Sequence, residues 1–279
     1  MPMSVDWPIS EHDFAAYYRF APAALALREC VRLKAVRGIE LPEPILDIGC
    51  GDGLFARMAF PDRQSWGIDI NPAEVKRAQA TRTYSTLICG SVCDVDLPRG
   101  FFGSAIANCS LEHVPDIHKA LSNVRPSLKD GAPFVLIVPT PEWTAQLATV
   151  ELLRRAGLGD LARAYSEGID RVFRHIHMLD EDGWADILRP AGFEIVESRP
   201  IVDRRTSWAF DVLLYPSVIG WLVKKATGRW VISPLLRDAS ERVVWNLLNT
   251  MSSRVEAGPG QGEHLLICRA IPSGGTSRR

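Results

Sequence analysis

This chain has no surplus of charge of either sign, since 32 lysines and arginines stand against 33 acids, a formal net charge of −1 over 279 residues. Proteins that act on nucleic acid usually carry a basic surface, so composition points away from that class of substrate. Long hydrophobic runs are missing too: no stretch reaches the ~18 uninterrupted apolar residues expected of a spanning helix. The opening segment, Met1 to Phe14, is polar and acidic, unlike a secretory signal. Six cysteines (Cys30, Cys50, Cys89, Cys93, Cys109 and Cys268) contain no C-x-x-C pair and no disulfide-like spacing. Several fall in apolar segments, so reduced thiols in a cytoplasmic protein are expected and a zinc site is not. What remains is ordinary globular composition, 47% hydrophobic and 23% charged. A chain of this size can bury a substantial core as one domain with insertions.

The most informative stretch runs from Pro44 through Leu46, Asp47, Gly49, Cys50, Gly51 and Gly53 to Phe55. An apolar run ends in an acid, then glycines take every second position, then apolar residues resume. This is the pattern of a buried parallel strand, a tight loop and the first turn of a helix. Glycines let such a loop turn sharply and approach a ligand closely, and N–H groups at the helix start suit a carboxylate or phosphate. Nicotinamide enzymes also use a glycine turn, but in G-x-G-x-x-G the third glycine falls one place later than Gly53. Asp47 at the strand mouth would repel a pyrophosphate and attract a cation. S-adenosylmethionine (SAM) fits that charge distribution, its ammonium facing Asp47 and its carboxylate facing the loop N–H groups.

Ile45 to Gly53 resembles the first motif of class I SAM-dependent methyltransferases, and later segments resemble their small-molecule branch, which includes quinone-ring methyltransferases. The resemblance covers about residues 40–140, with a fainter echo at 175–198. It implies a Rossmann-like, doubly wound α/β sheet of seven strands, the last antiparallel between the fifth and sixth, with helical cap insertions. Asp69 ends a second strand about 20 residues beyond the loop, the separation at which a carboxylate meets ribose hydroxyls, and Ile70 follows it. After the third strand, near Thr86–Val92, the family often has an acid for the adenine amino group. Here Ser91 falls at that place in a segment two residues longer, so Ser91, Val92 and Asp94 stand together as adenine neighbours. Asn108-Cys109-Ser110-Leu111-Glu112-His113-Val114-Pro115-Asp116 resembles the family segment after the fourth strand, which places Asn108 and Cys109 beside the methionine end of SAM. His113 is a candidate base, since imidazole titrates near neutrality; packing is the competing role. His175 matches a histidine that relatives carry near the acceptor pocket. His175 and His177 would point the same way along an extended run, yet without an acid partner they do not make a metal site.

The remaining elements follow from periodicity. Helices over residues 9–37 start at a Ser10 cap, break at Pro22, and by resemblance lie over the cofactor site, where Tyr17, Tyr18 or Arg19 would either touch it or pack. Helices are expected over 117–128, 143–155 and 158–169, and one capped by Asp180. Strands are expected at 103–108, 134–138, 193–198 and 264–270. The organisation is therefore N-terminal helices (1–40), SAM-binding core (41–140), helical insertion (141–174), core again (175–202), apolar cap (203–262), and last strand with a disordered tail (263–279). Within the cap, twelve of sixteen residues from Trp208 to Val223 are hydrophobic, followed by Lys224 and Lys225. Asp211, Pro216 and short length argue against a membrane span; core helix, substrate lid and a membrane-surface contact through 208–230 remain open. The reading is methyl transfer from SAM to a small, hydrophobic acceptor (lipid-, isoprenoid- or aromatic-like), in a cytoplasmic protein. A nicotinamide-dependent oxidoreductase and a SAM-binding protein without catalysis are the alternatives.

Overall fold

The computed structural model describes residues 9–227, 230–231, 234–256, 258 and 262–272. Residues 1–8, which hold most of the segment read as unlike a signal, and the tail 273–279, read as disordered, lie outside the described residues. Among the described residues are ten α-helices and seven strands, grouped into two compact units.

One unit comprises 36–141, 174–199 and 264–279. It carries β1 (Ile45–Ile48), α3 (Leu54–Ala59), β2 (Ser65–Asp69), α4 (Pro72–Thr81), β3 (Thr86–Cys89), β4 (Ser104–Asn108), α5 (Ile117–Val124), β5 (Pro133–Pro139), α8 (Glu181–Leu188), β6 (Phe193–Pro200) and β7 (Glu263–Ala270). The strand order is β3-β2-β1-β4-β5-β7-β6, with β7 antiparallel. β1 is buried at all four positions because parallel neighbours flank it on both edges, Ile45 pairing with Ser65 of β2 and with Ser104 of β4. Such strands read as continuous apolar runs. The sheet order reverses between β1 and β4, which opens a crevice at the carboxyl ends of those strands.

Local chemistry sets the ends of these elements. Asn71 caps α4 by accepting the Ala73 N–H, and Pro72 occupies the first turn, where its missing donor is harmless. Ile117, Ala120, Leu121 and Val124 form the buried stripe of α5. That helix was expected to reach residue 128, but it gives way to a 3-10 turn at Arg125–Ser127, because Pro126 has no N–H to continue the ladder. β3 stops at Cys89, short of Val92, because Ser91 starts a turn: its carbonyl accepts from Asp94 and Val95, and its Oγ from the Cys93 N–H.

The other unit comprises 1–35, 142–173 and 200–263 and is helical. It holds α1 (Glu11–Tyr18), α2 (Ala23–Val36, which ends a residue past the boundary), α6 (Ala148–Arg155), α7 (Gly159–Phe173), α9 (Arg204–Thr227) and α10 (Pro234–Ser252). Ser10 caps α1 through the Asp13 N–H, as its sequence suggests. Tyr17 and Tyr18 are both buried, and Tyr18 stacks on Phe14 with 5.5 Å between centroids. α6 starts at Ala148 instead of residue 143, since Trp143 is buried in a turn, its indole N–H donating to Asp170 at 2.6 Å. α9 is longer than expected, 24 residues, and passes through Pro216. By length and composition it could cross a membrane, although 41% of its most apolar window is buried. Asp211 on this helix is fully buried and accepts from the Thr149 N–H at 2.7 Å and the Tyr165 hydroxyl at 2.5 Å. Tyr215, Val218, Ile219 and Leu222, spaced along one face, are exposed.

Candidate functional site

The crevice between β1 and β4 holds a cavity of about 280 Å³, near the lower end of ligand-sized pockets. Its lining includes Ile48, Gly49, Ile68, Asp69, Ile70 and Ser91. Gly49 has φ +74°, and a Cβ there would stand 2.3 Å from Ser110 Cβ, so no other residue fits. Ser110 is close because its hydroxyl donates to the Ile48 carbonyl at 2.5 Å, tying the loop after β4 to the end of β1. Cys109, just before it, adopts φ +47°, a conformation uncommon outside glycine and often found at functional sites. Its N–H donates to Ile137 of β5.

Six of the twelve expected cofactor residues line this cavity: Gly49, Asp69, Ile70, Ser91, Val92 and Cys109. Of the two expected catalytic histidines, His113 lines it as well, while His175 lies against His113, rings stacked at 5.4 Å and 20°. The others stand elsewhere. Asp47 is 2% exposed, and one carboxylate oxygen accepts the Tyr84 hydroxyl at 2.6 Å instead of lining the cavity. Asp94 is exposed and pairs with Lys119, because the turn begun at Ser91 directs it toward α5. Asn108 closes β4 without lining the cavity. Cys50 is buried, and that burial, reinforced by the charges of Asp47 and Asp69, raises its thiol pKa well above the ordinary range.

The loop N–H groups, expected to receive a ligand carboxylate, are engaged by the protein itself. Gly49 and Cys50 donate to the Ile68 carbonyl at 2.8 and 2.9 Å, Gly51 to Asp69 Oδ2 at 2.9 Å, and Gly53 to the Cys50 carbonyl. A tight loop beside a buried strand has to pair its donors, and the protein's own acceptors are nearest. Asp69 thereby becomes the hub of the site, since its other oxygen accepts from the Asn71 N–H at 2.8 Å. Each oxygen keeps a second lone pair for a ligand hydroxyl. Sequence reasoning missed Ile48, Ile68, Gly90, Ser110, Val114 and Pro115 as lining residues. Ser110 alone carried a usable signal, as a small polar residue between two positions already singled out. Tyr84 was missed because nothing along the chain connects it with a strand 37 residues away.

Comparison with known proteins adds the following. A family model described as a methyltransferase domain matches residues 17–198. Uncharacterized methyltransferases of Mycobacterium bovis and Mycobacterium tuberculosis are 28% identical over 96 residues, which is 33% of this chain and 49% of theirs. The chain thus spans about half the length of these curated relatives. Among solved structures, the [4+2]-cyclase SpnF aligns with TM-score 0.54 at 17% identity, over 88% of this chain and 81% of the cyclase. A geranyl diphosphate C-methyltransferase from Streptomyces coelicolor, in complex with Mg2+, geranyl-S-thiolodiphosphate and S-adenosylhomocysteine, aligns with TM-score 0.53 at 16% identity, over 89% and 77%. At these identities the structural likeness concerns the fold.

Proposed function

The chain belongs to the methyltransferase-domain family, that of the class I SAM-dependent methyltransferases, and from that premise we propose that it moves a methyl group from SAM to a small, apolar acceptor. The observation that carries the reading is the convergence of Gly49, Asp69, Ser91, Val92 and Cys109 on one cavity at the point of strand reversal. In this reading Asp69 accepts the ribose hydroxyls, Ile70, Ser91 and Val92 flank the adenine, and Gly49 and Cys109 flank the methionine portion.

Little side-chain chemistry is then required. The acceptor's lone pair attacks the methyl carbon, the carbon–sulfur bond breaks, and its electrons return to sulfur, leaving S-adenosylhomocysteine. Alignment of the attacking atom with the departing sulfur supplies most of the acceleration. An acceptor hydroxyl or acidic carbon also has to lose a proton, and His113 is the basic side chain on the cavity wall. Support for an apolar acceptor comes from the exposed stripe of Tyr215, Val218, Ile219 and Leu222 on α9. That stripe, with Lys224 and Lys225 beyond it, also suits contact with a lipid surface, where such an acceptor would be met.

Asp69→Ala tests the cofactor assignment. Hydrogen bonds to a charged acceptor contribute about 1.5–3 kcal/mol each, so S-adenosylhomocysteine affinity by calorimetry should fall at least about tenfold. Unchanged affinity in a folded variant would sink the ribose assignment. The reaction is tested with methyl-labelled SAM and fractionated cell extract. A cyclase shares this fold, and folds host unrelated chemistries; cofactor binding with no labelled product in any fraction would count against methyl transfer. Val218→Asp with Ile219→Asp should raise the Michaelis constant for the acceptor so found, and a normal constant would remove the apolar-acceptor idea.

A further inference from the structure

The histidines at 175 and 177 have no acid neighbour along the chain, but the fold supplies one. Residues 111–114, which comprise the 3-10 turn Leu111–His113 and its C-cap, and the segment 174–177 are laced together by four hydrogen bonds. Ile176 and His177 N–H groups donate to the Glu112 carbonyl at 2.9 and 3.0 Å, His113 Nδ1–H donates to the Arg174 carbonyl at 3.1 Å, and His177 Nε2–H donates to the Val114 carbonyl at 2.9 Å. Arg174 has φ +58°, a left-handed conformation that turns the chain into this position. As a result a carboxylate oxygen of Glu112 and one ring nitrogen each of His113 and His175 lie within 4.8 Å of one another.

We propose that Glu112, His113 and His175 bind a divalent first-row transition-metal cation at the wall of the cavity. The donor set of two imidazoles and one carboxylate suits zinc, iron, cobalt or manganese better than magnesium or calcium, which take oxygen ligands. Hydrogen bonding from His113 Nδ1 to a backbone carbonyl leaves its Nε2 with the lone pair, and that Nε2 stands 3.7 Å from Glu112 Oε1. A ligating histidine held by its other N–H to a carbonyl is the usual second layer of a metal site. Two donors each ~2.1 Å from one ion stand roughly 3–4 Å apart. The Glu112–His113 spacing of 3.7 Å already fits, and the others, at most 4.8 Å, exceed that range by no more than about 1 Å. The Glu112 side chain is fully buried, where a carboxylate gains most from a cation, while His113 is 40% exposed on the cavity side. Three protein ligands leave coordination positions open to water or an incoming oxygen. Any part the ion plays in catalysis rests on the methyl-transfer reading: it would lower the pKa of an acceptor hydroxyl as a Lewis acid, so that the proton leaves to water and His113 is not needed as base.

Cobalt(II) titration of the tag-free 279-residue chain, followed by calorimetry and visible absorption, tests the binding directly. One equivalent should bind with nitrogen–oxygen ligand-field bands, and Glu112→Gln and His175→Asn should each weaken it about tenfold or more. No binding at millimolar cobalt, a thiolate charge-transfer band, or wild-type affinity in both variants would overturn the site. Should Glu112→Gln fail to fold, His175→Asn and His113→Asn decide the matter, since both positions are partly exposed. S-adenosylhomocysteine titrated into the same samples separates the two ideas. Cobalt binding without cofactor binding supports the metal site and removes the methyl-transfer reading, and the reverse result overturns the metal site alone.

Discussion

Asp47 and Tyr84 show how single residues divide the work at the end of β1. The buried Asp47 carboxylate accepts the Tyr84 hydroxyl at 2.6 Å. Burial first, and then the Asp47 charge, hold the Tyr84 phenol well above its usual pKa, so it stays a neutral donor across the working pH range. A buried acceptor that loses a partner costs about 1–3 kcal/mol. Tyr84→Phe is therefore expected to lower unfolding free energy by about that amount in urea denaturation. No change in midpoint would mean that this hydrogen bond contributes nothing net. Burial acts on Cys268 in the same way, pushing its thiol up to about 12, so it remains protonated and inert.

Among the elements of the helical unit, α2 is joined by charge to Glu263, the last residue of that unit. Arg32 engages both carboxylate oxygens of Glu263, through Nε at 2.9 Å and Nη2 at 2.5 Å, and Arg28 Nη1 approaches at 3.4 Å. Glu263 and Arg28 have side chains only 3% and 4% exposed. The guanidinium of Arg28 also lies 4.4 Å from the Phe210 ring centroid of α9. Removing one member of such a buried set leaves the opposite charge desolvated, at a cost of about 3–5 kcal/mol. Glu263→Gln should lose stability of that order, seen as a lower thermal midpoint. A substitution that leaves the midpoint unmoved would show that the pair is structurally idle.

For the molecule as a whole, a ligand that binds only the native state stabilises it in proportion to its concentration. At 100 times its dissociation constant the gain is about 2.7 kcal/mol, which for a domain of this size corresponds to a shift of roughly 5–10 °C. S-adenosylhomocysteine should raise the unfolding temperature by that amount, and NADH should not. A shift with NADH alone would restore the oxidoreductase alternative. The strand–glycine–helix signature was legible along the chain, because buried parallel strands are apolar runs and glycine is required where φ is positive, whereas the strand order and the antiparallel last strand were expected only from the family resemblance. Asp69, read from its interval to the glycine loop, and His113, read within the segment after β4, both line the cavity. What only the tertiary structure decided was which polar groups meet across long separations. Tyr84 claims Asp47, the loop donors turn to Ile68 and Asp69, Lys119 draws Asp94 from the cavity, and Glu112 comes beside His175. Periodicity and composition report what each residue does for its own element. A hydrogen bond or a cluster of donors between distant segments depends on how the elements pack, and no local pattern records that.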